Sequence, residues 1–167
     1  MKQLLAIPIC ILAIGFLGGS VSEAGGQKMA SFELRALDGT AYTDRQLIGQ
    51  PALLMFWASW CHVCQGELPK MQALYDRLKR TPFHILTVGF ADTGANIRNY
   101  VESQAPPFTF PVLYDVGNQL ASQLGVRSTP TFFLLNKKGA IVVVHRGGGL
   151  LEDPQFEIAV NYLLQEQ

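Results

Sequence analysis

The sequence predicts one α/β domain with a central mixed β-sheet flanked by helices. Three observations carry this. Leu53 to Trp57 is a continuous apolar run, as in a strand buried on both faces. Leu68, Met71, Leu74, Tyr75 and Leu78 recur at helical spacing immediately after it. Thr131 to Leu135 and Ile141 to His145 then read as two strands joined by a hairpin at Lys137-Lys138-Gly139, with a helix to follow. At 167 residues, 49% hydrophobic and 16% charged, the chain suits one well-packed globular domain.

The elements follow in order. Phe32-Glu33-Leu34 and Ala41-Tyr42-Thr43 flank Asp38-Gly39, which reads as an N-terminal β-hairpin. Asp44 is placed to cap a short turn through Leu47, and Gly49-Gln50-Pro51 stops it. After the first central strand comes the long helix, with Pro69 inside it and a bend expected there. Phe83 to Phe90 is a second apolar strand. Asn96 to Gln104 is a polar helix that ends before Pro106-Pro107. Phe110 to Tyr114 is a short extended piece, and Asn118 to Leu124 a short helix closed by Gly125. Asp153-Pro154 fits an N-cap followed by proline at the first helical position, opening the last helix.

The formal net charge is zero, so nothing points to nucleic acid or to an anionic membrane surface. The N-terminus is different in kind. Lys2 precedes an apolar stretch from Leu4 to Leu17, and no charge appears before Glu23. Residues 1–24 therefore read as a secretory signal, with a small-x-small cleavage site at Ser22-Glu23-Ala24, or as an uncleaved membrane anchor. Either reading exports the domain spanning 25–167, to the periplasm or another extracytoplasmic space.

Export sharpens the cysteine arithmetic. Of three cysteines, Cys10 belongs to the targeting segment, which leaves Cys61 and Cys64 in Cys61-His62-Val63-Cys64. So short a loop is a weak staple, because closing it removes little chain entropy. It suits reversible exchange better. The pair sits where a strand hands over to a helix, and a helix N-terminus stabilises a thiolate, the reactive form of cysteine. Cys61, at the first position, is expected to be the nucleophile, and Cys64, nearly a turn on, the resolving thiol. His62 either favours the Cys61 thiolate by its charge or is a solvent-facing helix-start residue. Zinc is not expected: one C-x-x-C gives two of the four ligands a structural site needs, and His84 and His145 lie on strands far off in sequence. Covalent haem is disfavoured, since Gln65 stands where the attachment motif needs histidine.

These residues carry a resemblance. Phe56-Trp57-Ala58-Ser59-Trp60-Cys61-x-x-Cys64 resembles the active-site strand and helix of the thioredoxins. Pro69 matches their helix proline, and Gly125 to Leu134 is similar to the loop bearing their cis-proline, here Pro130. Together these cover the chain from about Phe32 onward and imply a thioredoxin-like fold. Thioredoxin itself has a buried aspartate six positions before its first cysteine, where this chain has Met55. Instead Glu67 follows Cys64 by three, which resembles the active-site acid of the exported TlpA/ResA-like thiol–disulfide oxidoreductases. The segment from Ala91 to Leu124 matches their central helix–strand insertion.

The resemblance implies an exported protein-disulfide reductase that needs no cofactor beyond the Cys61–Cys64 disulfide. Glu67 would take the Cys64 proton; the competing reading is a surface glutamate on an amphipathic helix. Thr129 and Pro130 would present backbone to an extended substrate strand, with Trp60 as an exposed apolar rim and Trp57 as core. Implied partners are protein disulfides, apocytochrome c or its maturation factors first, and a membrane thiol donor. His62 and Val63 depart from the dipeptides common in the group and are expected to tune the potential, so an oxidant or isomerase stays open. Two other classes remain. A peroxiredoxin-like peroxidase would set threonine shortly before its cysteine, and Phe56 to Trp60 contains none. A metal-handling module would retain metal on purification and show no exchange.

Overall fold

The computed structural model describes residues 26–166, so the expected targeting segment lies outside the described residues. The expected α/β sandwich is present, as a seven-stranded mixed sheet in the order β2-β1-β5-β4-β3-β6-β7. The strands are β1 (Glu33–Ala36), β2 (Ala41–Thr43), β3 (Ala52–Trp57), β4 (His84–Gly89), β5 (Val112–Tyr114), β6 (Thr131–Leu135) and β7 (Ile141–Arg146). The helices are α1 (His62–Leu78), α2 (Gly94–Glu102), α3 (Gln119–Gln123) and α4 (Pro154–Gln165). β3, β4 and β5 run parallel, while β6 runs antiparallel to β3 and β7 to β6.

β3 is buried at every residue, which is why it reads as unbroken hydrophobicity rather than alternation. Its side chains still divide by face. Leu53, Met55 and Trp57 join Leu68, Met71, Phe156 and Val160 in the core beneath α1 and α4, where Cys61 and Cys64 are also buried. Ala52, Leu54 and Phe56 face the other core with Leu86, Leu113, Leu120 and Phe133. Phe56 meets Phe90 and Phe133 edge-on, with ring centroids 5.8 and 5.6 Å away.

Local signals mostly hold. Asp153 caps α4, its carboxylate accepting from Gln155 N–H at 2.8 Å, with Pro154 in the first helical position. The expected N-terminal hairpin is β1–β2. The central insertion comprises α2, β5 and α3, and α2 begins earlier than its polar pattern indicated because Thr93 Oγ1 caps the Asn96 N–H. Asp44 is a correction. The short turn from Asp44 to Leu47 is held by Gln46, whose side-chain carbonyl accepts from Thr43 N–H at 2.7 Å. The Asp44 carboxylate reaches back to Phe32 N–H and Ser31 Oγ instead, tying the turn to β1.

His84 opens β4 half-buried, and burial pushes its pKa below the ordinary histidine value. The unfolded chain therefore binds this proton more readily than the folded one. Stability is full above the unfolded value of roughly 6.5 and declines as pH falls below it. His84→Gln is expected to flatten the fall in urea midpoint between about pH 7 and pH 5, measured by circular dichroism.

Candidate active site

β3 ends at Trp57, and a tight turn delivers Cys61 to the N-cap of α1. Cys61 N–H donates to Ala58 C=O at 3.1 Å, and Cys61 itself is extended, with φ −85° and ψ 102°. Its Sγ accepts from Cys64 N–H at 3.1 Å, and the two cysteines form a disulfide. Cys61 Sγ is thus the helix cap, exposed to the positive end of the helix dipole, which favours a thiolate there. Cys61 keeps 6% of its surface accessible and Cys64 none, so attack from outside meets Cys61 first. His62 and Val63, between them, are exposed.

The turn is clamped from the loop between β4 and α2. Asp92 Oδ2 accepts from Ser59 N–H and from the Ser59 hydroxyl, while Oδ1 accepts from Thr93 N–H and Asn96 Nδ2. Burial opposes ionisation of Asp92, but the hydrogen bonds from Ser59, Asn96 and Thr93 outweigh it and hold its carboxyl below the usual value. Trp60 is 58% exposed, and its indole N–H donates to Ala91 C=O at 3.0 Å. Its ring is therefore fixed in place as an apolar rim. Trp57 is wholly buried, as core, with its ring 5.5 Å from Tyr100.

Glu67 lies one helical turn beyond Cys64 and is 4% exposed, which answers the surface-glutamate alternative. Its Oε1 accepts from Lys70 Nζ at 3.0 Å and from Gly149 N–H at 3.2 Å. Its Oε2 is buried with no hydrogen-bond partner among the described residues. Lys70 also pairs with Glu152 at 2.8 Å, and Glu152 and then Glu67 raise its pKa.

The Thr129–Pro130 peptide bond is cis, as the resemblance implied, and Pro130 is buried. Thr131 pairs with Phe56, so Thr129 and Pro130 stand at the end of the sheet where β3 runs out toward Cys61. Pro130 C=O accepts from Gly147 N–H at 2.9 Å, and Thr131 Oγ1 donates to Ser128 C=O. Ala105–Pro106 is also cis, which its local sequence did not signal. His84 and His145 lie on β4 and β7, and among the described residues no three His, Cys, Asp or Glu side chains cluster as metal ligands would.

A profile described as the AhpC/TSA family matches residues 25–144. The chain belongs to the AhpC/TSA family. Within it, the chain is 32% identical over 133 residues to the thiol-disulfide oxidoreductase ResA of Halalkalibacterium halodurans, covering 80% of this chain and 74% of that one. It is 32% identical over 145 residues to the sporulation thiol-disulfide oxidoreductase A of Bacillus subtilis, covering 84% and 87%. Among solved structures it is similar to the pneumococcal exposed lipoprotein thioredoxin Etrx1 of Streptococcus pneumoniae, with a TM-score of 0.70, 28% identity, and coverage of 80% of this chain and all of that one. The fold is thioredoxin-like, and the chain is a thiol–disulfide oxidoreductase with its redox pair at Cys61 and Cys64.

Asp92, Lys70, Gly148 and Gly149 escaped the sequence reading. Each acts across a gap of sequence or through backbone, and no local pattern marks them.

Proposed function

We propose that this oxidoreductase works outside the cytoplasm as a reductant of specific protein disulfides. The observation that carries it is Glu67, a buried carboxylate with an unpartnered oxygen, one turn below the disulfide. The Cys61 thiolate attacks a substrate disulfide, forming a mixed disulfide and releasing one substrate thiolate. Cys64 gives its proton to Glu67 and attacks Cys61 Sγ. The second substrate thiolate leaves, takes up a proton, and the Cys61–Cys64 disulfide remains. A membrane dithiol donor then reduces that disulfide, because the compartment does not. No other redox centre takes part.

Apocytochrome c or a protein of its maturation is the substrate this reading favours, on resemblance to the TlpA/ResA-like group. Trp60 and the backbone of Thr129 and Pro130 receive it as an extended strand. His62 and Val63 set the potential, and hence the direction of electron flow. Residues 1–24 direct export as a cleaved signal or hold the protein by an anchor; no helix among the described residues is long and apolar enough to cross a membrane. The Etrx1 relative, by its name an exposed lipoprotein, supports the location.

The test is a trap. Cys64→Ala, expressed in the native host, is expected to accumulate disulfide adducts on Cys61. A trapped cytochrome or maturation factor supports the pathway. If no adduct depends on the Cys64 change, this reading fails.

A further inference from the structure

His145 sits near the end of β7, half-buried, with its ring 6.1 Å from that of Phe132. Its Nε2 lies 3.1 Å from Gly148 C=O. A carbonyl only accepts, so this contact puts the proton on Nε2. The same peptide unit has its N–H on the other side, and that N–H, of Gly149, donates to Glu67 Oε1 at 3.2 Å. One peptide plane thus joins the imidazole to the carboxylate. The approach is close: a Cβ on Gly148 would lie 2.9 Å from Glu67 Oε1 and 3.0 Å from Val63 Cγ1.

Three consecutive glycines form this connection, and Gly147 and Gly149 have φ of +95° and +93°. Such a run has little conformational preference of its own, so its orientation must be imposed. Three contacts impose it. Gly147 N–H donates to Pro130 C=O at 2.9 Å, Gly149 C=O accepts from Glu152 N–H at 3.4 Å, and His145 holds the Gly148 carbonyl between them. Lys70 engages the same Oε1 from α1 and is itself paired with Glu152. Both donors therefore converge on one oxygen of Glu67 and leave Oε2 free.

We propose that His145 is a positioning residue for Glu67, acting through the Gly148–Gly149 peptide. It rests on the reading of Glu67 as the acceptor of the Cys64 proton. By fixing the peptide plane, His145 keeps Oε1 occupied and Oε2 available. It does not touch the reacting sulfurs, so it bears on the second step of exchange and leaves the first unchanged.

The test uses the reduced protein rapidly mixed with glutathione disulfide as the probe. Mixed-disulfide formation and its resolution by Cys64 are followed by tryptophan fluorescence and glutathione release. His145→Phe, which keeps a ring against Phe132 and removes the donor, is expected to slow resolution by about 3- to 10-fold, the scale of one hydrogen bond, with formation unchanged. His145→Gln, whose amide nitrogen reaches the Nε2 position, is expected to restore resolution to within about twofold of the wild type. In a Glu67→Gln background, His145→Phe is expected to have no further effect. Equal slowing in both backgrounds, or no rescue by Gln, overturns the proposal. If Glu67→Gln alone leaves resolution unchanged, the Glu67 reading fails first and this one with it. Should the Phe variant not fold, His145→Asn replaces it, since its amide reaches only the Nδ1 position.

Discussion

Cys61→Ser is expected to abolish disulfide exchange, lowering turnover of an insulin-type protein disulfide by at least about 10³-fold, to the uncatalysed level. Cys64→Ser is expected to stop turnover as well, but differently: one substrate equivalent attaches to each protein and stays. The asymmetry follows from accessibility, Cys61 retaining 6% and Cys64 none. It follows also from the helix start, since Cys61 Sγ alone accepts a backbone N–H there. The measurement is intact-protein mass after incubation of each reduced variant with a disulfide peptide. Adducts on Cys61→Ser in place of Cys64→Ser would reverse the assigned order. Equal residual turnover in both variants would remove the pair from the reaction.

The second large effect concerns what the chain lacks. Met55 occupies the place where thioredoxin carries its buried aspartate, and here that place is wholly enclosed, in the same core as Trp57, Cys64 and Leu68. Met55→Asp is expected to destabilise the fold by about 3–5 kcal/mol in urea unfolding at neutral pH, the scale of an uncompensated buried charge, with much of the loss recovered where the carboxyl is protonated. A change below about 1 kcal/mol would mean that water or a partner reaches the site. Met55→Leu, close in volume, is expected to cost less than about 1.5 kcal/mol. The buried carboxylate of this region lies instead on the helix, at Glu67, where Lys70 and Gly149 compensate its burial.

What was legible in the sequence depended on how far each cause lay along the chain. β3 was legible because burial on both faces writes an unbroken apolar run, and α4 because Asp153-Pro154 states its cap locally. The pair Cys61 and Cys64 was legible from its own spacing, and Glu67 and Pro130 only through a resemblance. Asp44 was misread because two side chains compete at that turn: Gln46 bonds the Thr43 N–H, which frees Asp44 to join β1. The clamp of Asp92 on Ser59 spans 33 residues and the bond from Gly149 to Glu67 spans 82. Neither leaves a periodicity or a turn signature, because the sheet order brings those residues together and no neighbour in sequence does.

One sulfur of the redox pair, that of Cys61, also caps the helix that presents it. Closing the Cys61–Cys64 bond changes the charge and the acceptor strength at that cap. Folding and reduction are therefore two sides of one thermodynamic square. Whatever extra stability the reduced fold gains over the oxidised fold, relative to the same two forms unfolded, is the amount by which folding shifts the reduction potential, at about 30 mV for each 1.4 kcal/mol. Two unfolding curves, one for each redox form, would weigh the electrons of this protein without an electrode.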